Sequence, residues 1–309
     1  MISGIPDRYE VRPAAAGDLD QVIRLMDQLD RAQKVPHDPV GTFLEWVWGL
    51  STTAMGRDTR VVMEGDAVVA FGQGIWRAGA GPLILLVRVH PDHQSQGIGG
   101  LLLAWGEELA TERGTEGLRA DVVDRDAPGH DLLRSRGYRK VRSSFTMTKQ
   151  LEPGEDPGTA PAEVTIRPYD DADERALFDV NQASFADHWG FTPSTFDIFN
   201  EELHDKDWDP SLVFLGEVGA EVVGHVVSFA FEDGAYVAIL GVTRPWRGRG
   251  IAKALLRRSL AELASRGKPD VRLEVDAQNP HGAVALYEGV GMKVHRRYDI
   301  FDLGTTEPG

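Results

Sequence analysis

The chain repeats itself. Val11-Arg12-Pro13 returns as Ile166-Arg167-Pro168, and Gly65-Asp66-Ala67-Val68-Val69 as Gly219-Ala220-Glu221-Val222-Val223. Gln94-Ser95-Gln96-Gly97-Ile98-Gly99 returns as Arg247-Gly248-Arg249-Gly250-Ile251-Ala252, and Leu133-Arg134-Ser135-Arg136-Gly137-Tyr138 as Tyr287-Glu288-Gly289-Val290-Gly291-Met292. These matches keep one order at offsets of 153 to 155 positions, so whatever one half folds into, the other half folds into as well. A length of 309 residues agrees, because one hydrophobic core rarely organises so much chain. The copies are expected at 1–150 and 163–309. Residues 151–162, with three prolines, two glycines and three acids, have little to bury and read as a linker.

Apolar residues at 42% give each copy a core, and no apolar run approaches the length of a membrane span. The absence of cysteine removes disulfide scaffolds, thiolate metal sites and cysteine nucleophiles. No basic segment followed by an apolar one opens the chain, so a cytoplasmic location is expected. The net charge of −15 disfavours a nucleic-acid partner. The acidity lies beyond residue 150, where 15 bases face 28 acids, against 18 and 20 before it. Such a field leans toward cationic small-molecule partners, although solvated surface acids are its commoner cause.

Within each copy, hydrophobic patterning predicts one order of elements. A helix begins near Asp18 or Asp171. Strands follow at Arg60–Met63, Ala67–Gln73 and Leu83–Val89 in the first copy, and at Leu212–Glu217, Glu221–Phe231 and Tyr236–Val242 in the second. Next come a glycine-rich turn and a helix (Gly99–Glu112, Ala252–Ser265), a strand (Leu118–Val123, Val271–Val275), a short helix and a last strand (Phe145–Lys149, Arg297–Leu303). Strands arriving as consecutive hairpins indicate an α+β fold, a mixed and mostly antiparallel sheet flanked by helices.

The turn carries the chemistry. Arg247-Gly248-Arg249-Gly250-Ile251-Ala252 ends a strand and opens a helix, so orphan N–H groups and the helix dipole face whatever approaches, and small residues let a polyanion reach the main chain. An ordinary strand-to-helix turn would need only one or two glycines, but the recurrence in the first copy favours a phosphate site. No G-x-x-x-x-G-K-[ST] run occurs, and Lys253 stands where a dinucleotide fingerprint needs its third glycine. His90 and His93 have no third ligand spaced nearby, so no metal is expected. No G-x-S-x-G elbow is present.

Val242-Thr243-Arg244-Pro245, then Arg247-x-x-Gly250-x-Ala252, then Asn279 and Ala283-x-x-Leu286-Tyr287-x-x-x-Gly291-Met292 together resemble the GNAT superfamily of acyl-CoA N-acyltransferases. The likeness covers most of 163–309 and, more weakly, 9–150; the doubled plan is similar to tandem GNAT proteins of the mycothiol synthase type. What the resemblance implies is as follows. Acetyl-CoA or another acyl-CoA is the co-substrate, and Arg247, Gly248, Arg249, Gly250, Ile251 and Ala252 cradle its diphosphate, largely through main-chain N–H groups. Leu240 and Val242 lie on a splayed strand that pairs with the pantetheine arm. Asn279 meets that arm or fixes the last helix. Tyr287 stands near the thioester sulfur, where a phenol protonated at neutral pH can serve the departing thiolate. In the first copy Val87, Val89, Gln94, Gln96, Gly97, Ile98 and Gly99 are the matching carrier positions. There Leu133 replaces Tyr287 and Asp126 replaces Asn279, so this copy is expected to be catalytically degenerate, either binding CoA without transfer or supporting the fold.

A primary amine acceptor must shed a proton. Glu232, Asp233 and Glu274 are the candidate bases, with His188 and His225 behind them; spacing singles out none, and Glu232, the one taken forward, suits a solvated hairpin acid before Asp233-Gly234 equally well. Phe185, Asp187, His188 and Trp189 are the candidate acceptor residues, since aromatics beside an acid suit an amine with an apolar body. Without a cysteine or serine nucleophile, direct attack in a ternary complex is expected. The alternatives are a mycothiol synthase-like acetyltransferase and a non-enzymatic CoA sensor or scaffold.

Overall fold

The computed structural model describes residues 4–34, 41–50, 53–76, 81–204, 207–232 and 234–304. Two compact units divide the chain, one of Met1–Ser143 with Arg296–Gly309, the other of Ser144–His295.

In the first unit the elements are β1 (Tyr9–Arg12), α1 (Leu19–Gln33), α2 (Gly41–Gly49), α3 (Met55–Asp58), β2 (Thr59–Glu64), β3 (Ala67–Ile75), β4 (Leu83–Val89), α4 (Ile98–Arg113), β5 (Leu118–Val123), α5 (Ala127–Ser135) and the first part of β6 (Arg139–Gln150). In the second they are the rest of β6, β7 (Thr165–Pro168), α6 (Glu174–Phe185), α7 (Phe196–Leu203), β8 (Val213–Val218), β9 (Glu221–Ala230), β10 (Ala235–Val242), α8 (Ile251–Ser265), β11 (Asp270–Asp276) and α9 (Ala283–Glu288). The last strand, β12 (Lys293–Leu303), belongs to the first unit from Arg296 onward. Strand order is β1-β2-β3-β4-β5-β12 in the first unit and β7-β8-β9-β10-β11-β6 in the second. Pairing is antiparallel except between β4 and β5 and between β10 and β11. This is the expected mixed, mostly antiparallel α+β architecture.

Alternation along the strands builds a core on each face. In the second unit Phe214, Val226 and Val237 meet Leu255, Leu256 and Leu260 of α8, while Val213, Leu215 and Val227 meet Leu177 of α6 and Phe199 of α7. In the first unit α4 comes so close to β4 that a Cβ at Gly106 would stand 2.3 Å from Leu85 Cδ2, so a larger residue there would force Leu85 to shift.

The chain divides differently from the 1–150 and 163–309 reading. Phe145–Lys149, expected to close the first copy, pairs with β11 in the second unit (Val271↔Lys149 to Val275↔Phe145). Arg297–Leu303, expected to close the second, pairs with β5 in the first (Leu303↔Leu118 to Tyr298↔Val123). The two closing strands are exchanged. Each offers the same alternation to its sheet, and hydrophobic pattern cannot say which of two equivalent edges a strand joins.

Duplication reaches single side chains. Arg12 binds Asp18 at 2.7 and 2.9 Å, and Arg167 binds Asp173 at 2.5 and 2.7 Å, each a guanidinium fork on an acid just ahead of the first helix. Among the described residues no helix is long and apolar enough to cross a membrane.

Candidate active site

The site grows from a strand that loses its neighbour. β10 pairs with β11 only at Ala235↔Val271 and Tyr236↔Arg272; beyond Tyr236 the two strands part. Leu240 and Val242 lie on the parted stretch of β10, partly and fully buried against the α8 core. A bulge sits at the fork, where the register with β9 shifts between Val237 and Ile239. Its extra residue re-phases the strand: Val237 faces the α8 core, Ile239 the α6 core, and Leu240 and Val242 the α8 core again. In the first unit β4 and β5 pair from Leu83↔Leu118 to Leu85↔Ala120 and then part, which frees Val87 and Val89, but β4 meets β3 without a shift.

The parted strand ends in the glycine turn. Gly248 (φ +75) and Gly250 (φ +83) take the left-handed conformation that glycine alone adopts without strain. Gly250 caps α8 with no side-chain partner, and the first helical bond reaches Gly250 O from Ala254 N, so the N–H groups of Ile251, Ala252 and Lys253 precede the ladder. A Cβ on Gly248 would meet nothing within 4 Å, and one on Gly250 only Pro161 Cγ at 3.9 Å. Residues 244–258 hold six cations and no acid, with Arg244, Arg249 and Lys253 exposed. Open donors, a helix dipole and local positive charge in an acidic half are features that suit an anion.

In the first unit Gln94, Gln96, Ile98 and Gly99 form the same turn, but Ser95 takes φ +60 in place of a glycine. The carbonyl oxygen of Gly4 stands 2.8 Å from where a Cβ of Gly97 would be. Arg88 Nη2 binds Asp121 Oδ2 at 2.9 Å, joining β4 to β5 just past the point where they part. The matching positions in the second unit are Gly241 and Glu274, which cannot form this ion pair.

Tyr287 lies in α9 with 8% of its surface exposed, and burial raises its phenol to about 12. Among the described residues its hydroxyl has no hydrogen-bond partner. Its counterpart Leu133 is buried in α5. Asn279 Oδ1 accepts from His281 N at 2.9 Å in the loop that leads into α9. Asp126 likewise caps α5 by accepting from Gly129 N at 3.0 Å.

The acceptor candidates divide. Arg247 takes both oxygens of Asp187, which holds that carboxyl far below the usual carboxylate range. His188 packs on Phe185 with ring centres 4.7 Å apart and on His281 at 5.3 Å, and burial lowers its imidazole below the ordinary value. Trp189 is half-buried. Asp187, His188 and His281 offer ligand atoms within 4.8 Å of one another, but a guanidinium already occupies both carboxylate oxygens. Glu232 is not brought to this group: it is exposed at the β9–β10 hairpin, at the opposite end of β10 from the turn. Asp233 lies outside the described residues.

Sequence reasoning names His225 only as a reserve base and misses the buried polar group around it. His225 is fully buried, bonded through Nε2 to Asn181 Oδ1 at 3.2 Å and pushed down to about 3 by burial. His225 Nδ1 and Ser184 Oγ are buried without partners. A Cβ at Gly241 would stand 2.6 Å from His225 Cε1 and 2.8 Å from Ser184 Cβ. A glycine inside an otherwise apolar strand was the available signal, since it marks close approach.

The model of the acetyltransferase (GNAT) family matches residues 23–138 and again 176–292. The chain belongs to that family, twice over, and is an N-acetyltransferase. It is similar to the mycothiol acetyltransferase of Thermomonospora curvata, 30% identical over 278 residues that cover 88% of this chain and 89% of the relative. That of Kineococcus radiotolerans is 35% identical over 213 residues, 66% of each chain. Among solved structures, a GCN5-related N-acetyltransferase from Sphaerobacter thermophilus superposes with a TM-score of 0.85 at 27% identity, covering 98% of this chain and all of that one. A tandem GNAT protein from the clavulanic acid biosynthesis pathway, 17% identical with a TM-score of 0.69 over 97% of this chain and all of that one, shares the fold.

Proposed function

We propose that the second unit transfers an acetyl group from acetyl-CoA to the primary amine of a small molecule by direct attack, and that the first unit is catalytically degenerate. The observation that carries this is the contrast between the two forks. One has a bulge, an open edge and a buried phenol; the other has a leucine and an ion pair across the gap.

The carrier's diphosphate lies on the N–H groups of the turn, and the pantetheine arm takes the free edge of β10. Attack by the neutral amine forms the C–N bond. Collapse then breaks the C–S bond and leaves a thiolate, while the amine nitrogen gives up its proton to solvent or a nearby base. Tyr287 at about 12 stays protonated throughout the neutral range and donates a hydrogen bond to the developing thiolate. A reference thiol titrates near ~8.5, so full proton transfer from so weak an acid is uphill until the complex lowers the phenol. The acidic half suits a cationic acceptor, and His188, Phe185 and Trp189 supply apolar walls.

A second reading, mycothiol acetyltransferase activity, is favoured by the nearly end-to-end match to the Thermomonospora relative. Mass spectrometry of a primary-amine library incubated with enzyme and acetyl-CoA tests both. An acetyl gain on an amine supports the proposal, and acetylation of the mycothiol precursor above all others favours the second reading. No gain on any amine, with no amine-dependent release of CoA thiol, contradicts both.

A further inference from the structure

We propose that Arg247 is a positioning residue whose side chain bolts the acceptor segment 184–189 to the carrier turn, and that phosphate contacts at the turn come from main chain and from other cations. This rests on the reading that the turn holds a CoA diphosphate.

A guanidinium has five N–H groups and no acceptor. Nε donates to Val242 O at 3.1 Å. Nη1 donates to Asp187 Oδ2 at 2.7 Å and faces His281 Nε2 at 3.2 Å. Nη2 donates to Ser184 O at 2.8 Å and Asp187 Oδ1 at 2.8 Å. Four are taken by oxygens, and the fifth faces an imidazole nitrogen that accepts it in one tautomer, so the fork has little left to offer a phosphate oxygen unless an existing bond breaks. Asp187 also neutralises the charge.

The partners come from four places in the second unit: the end of β10, the last turn of α6, the segment after it, and the β11–α9 loop. Asn279 Oδ1 separately accepts from His281 N in that loop. His188 is then wedged between Phe185 and His281. A planar fork can hold this many partners at once, and an ammonium cannot. When a diphosphate stiffens residues 248–252, Arg247 passes the restraint to 184–189, so the bound carrier orders the place where the acceptor docks.

Hydrogen exchange read by mass spectrometry, with and without saturating CoA, tests this in wild type, Arg247→Lys and Asp187→Asn. The second variant leaves the turn's own sequence untouched. In wild type, CoA should slow exchange across 184–192 about threefold or more. Both variants should keep the CoA Kd within about fivefold of wild type while losing that protection. A loss of CoA affinity beyond about fivefold in Arg247→Lys makes the side chain a phosphate ligand and overturns the assignment. Protection that persists in either variant, or a wild type that binds CoA without protection, also overturns it. A wild type that binds no CoA brings down the carrier reading first, and the assignment with it.

Discussion

Arg247 and Asp187 meet fork to fork at 2.7 and 2.8 Å, across 60 positions of sequence. The carboxyl of Asp187 is held well below its ordinary range by that guanidinium, so the pair stays ionised at neutral pH and yields only in acid. One consequence is that the residue of the turn most readily assigned to phosphate has its side chain turned to other work.

The remaining cations should then carry the charge term. Arg249 lies over the Trp246 ring at 4.6 Å, and it is exposed, as is Arg244. Arg244→Gln and Arg249→Gln are each expected to raise the CoA Kd about threefold at low salt, with the difference shrinking as ionic strength rises. Titration calorimetry at two salt concentrations checks this.

Gly241 is packed against His225 and Ser184 closely enough that a methyl group must displace one of them. Gly241→Ala should cost about 1–3 kcal/mol of stability, and activity should fall along with it. Thermal denaturation beside steady-state assays would reveal the effect; an unchanged melting temperature would mean that the pocket has room.

His225 sets a pH dependence whose sign follows from its burial. The folded protein keeps it neutral down to about 3, whereas the unfolded chain protonates it near ~6.5. Unfolding therefore takes up a proton between those values, and stability falls as pH drops below about 6.5, by at most about 1.4 kcal/mol per pH unit from this group. His188, also lowered, adds to the slope. Denaturant titrations of wild type and His225→Asn between pH 7 and 4.5 should show a shallower slope in the variant.

The exchanged strands predict where damage falls. Phe301 of β12 is fully buried in the first unit's core, beside Leu118 and Ala120. Phe301→Ala should destabilise that unit by about 3–5 kcal/mol. Hydrogen exchange would then quicken in β3 and β5 rather than in β8 and β9.

Much of this was legible in the sequence because it is periodic. The repeat, the strand alternation and the glycine turn each have a local signature, and the observed α4 and α8 begin within one residue of the expected Gly99 and Ala252. What escaped depends on partners distant along the chain. Nothing near Asp187 announces Arg247, and an acid among aromatics looks the same whether it awaits an amine or already holds a guanidinium. The bulge left only a trace, one more residue in β10 than in β4. Glu232 was drawn in by chemistry alone, and the hairpin geometry keeps it at the surface.

On the proposed function, the second unit moves an acyl group with Tyr287 beside the departing sulfur. Single-turnover release of CoA thiol from acetyl-CoA, with a saturating amine identified from the library, tests it in wild type and Tyr287→Phe. A rate about a hundredfold lower is expected in the variant at neutral pH, with CoA affinity unchanged. Equal rates in the two proteins would contradict it.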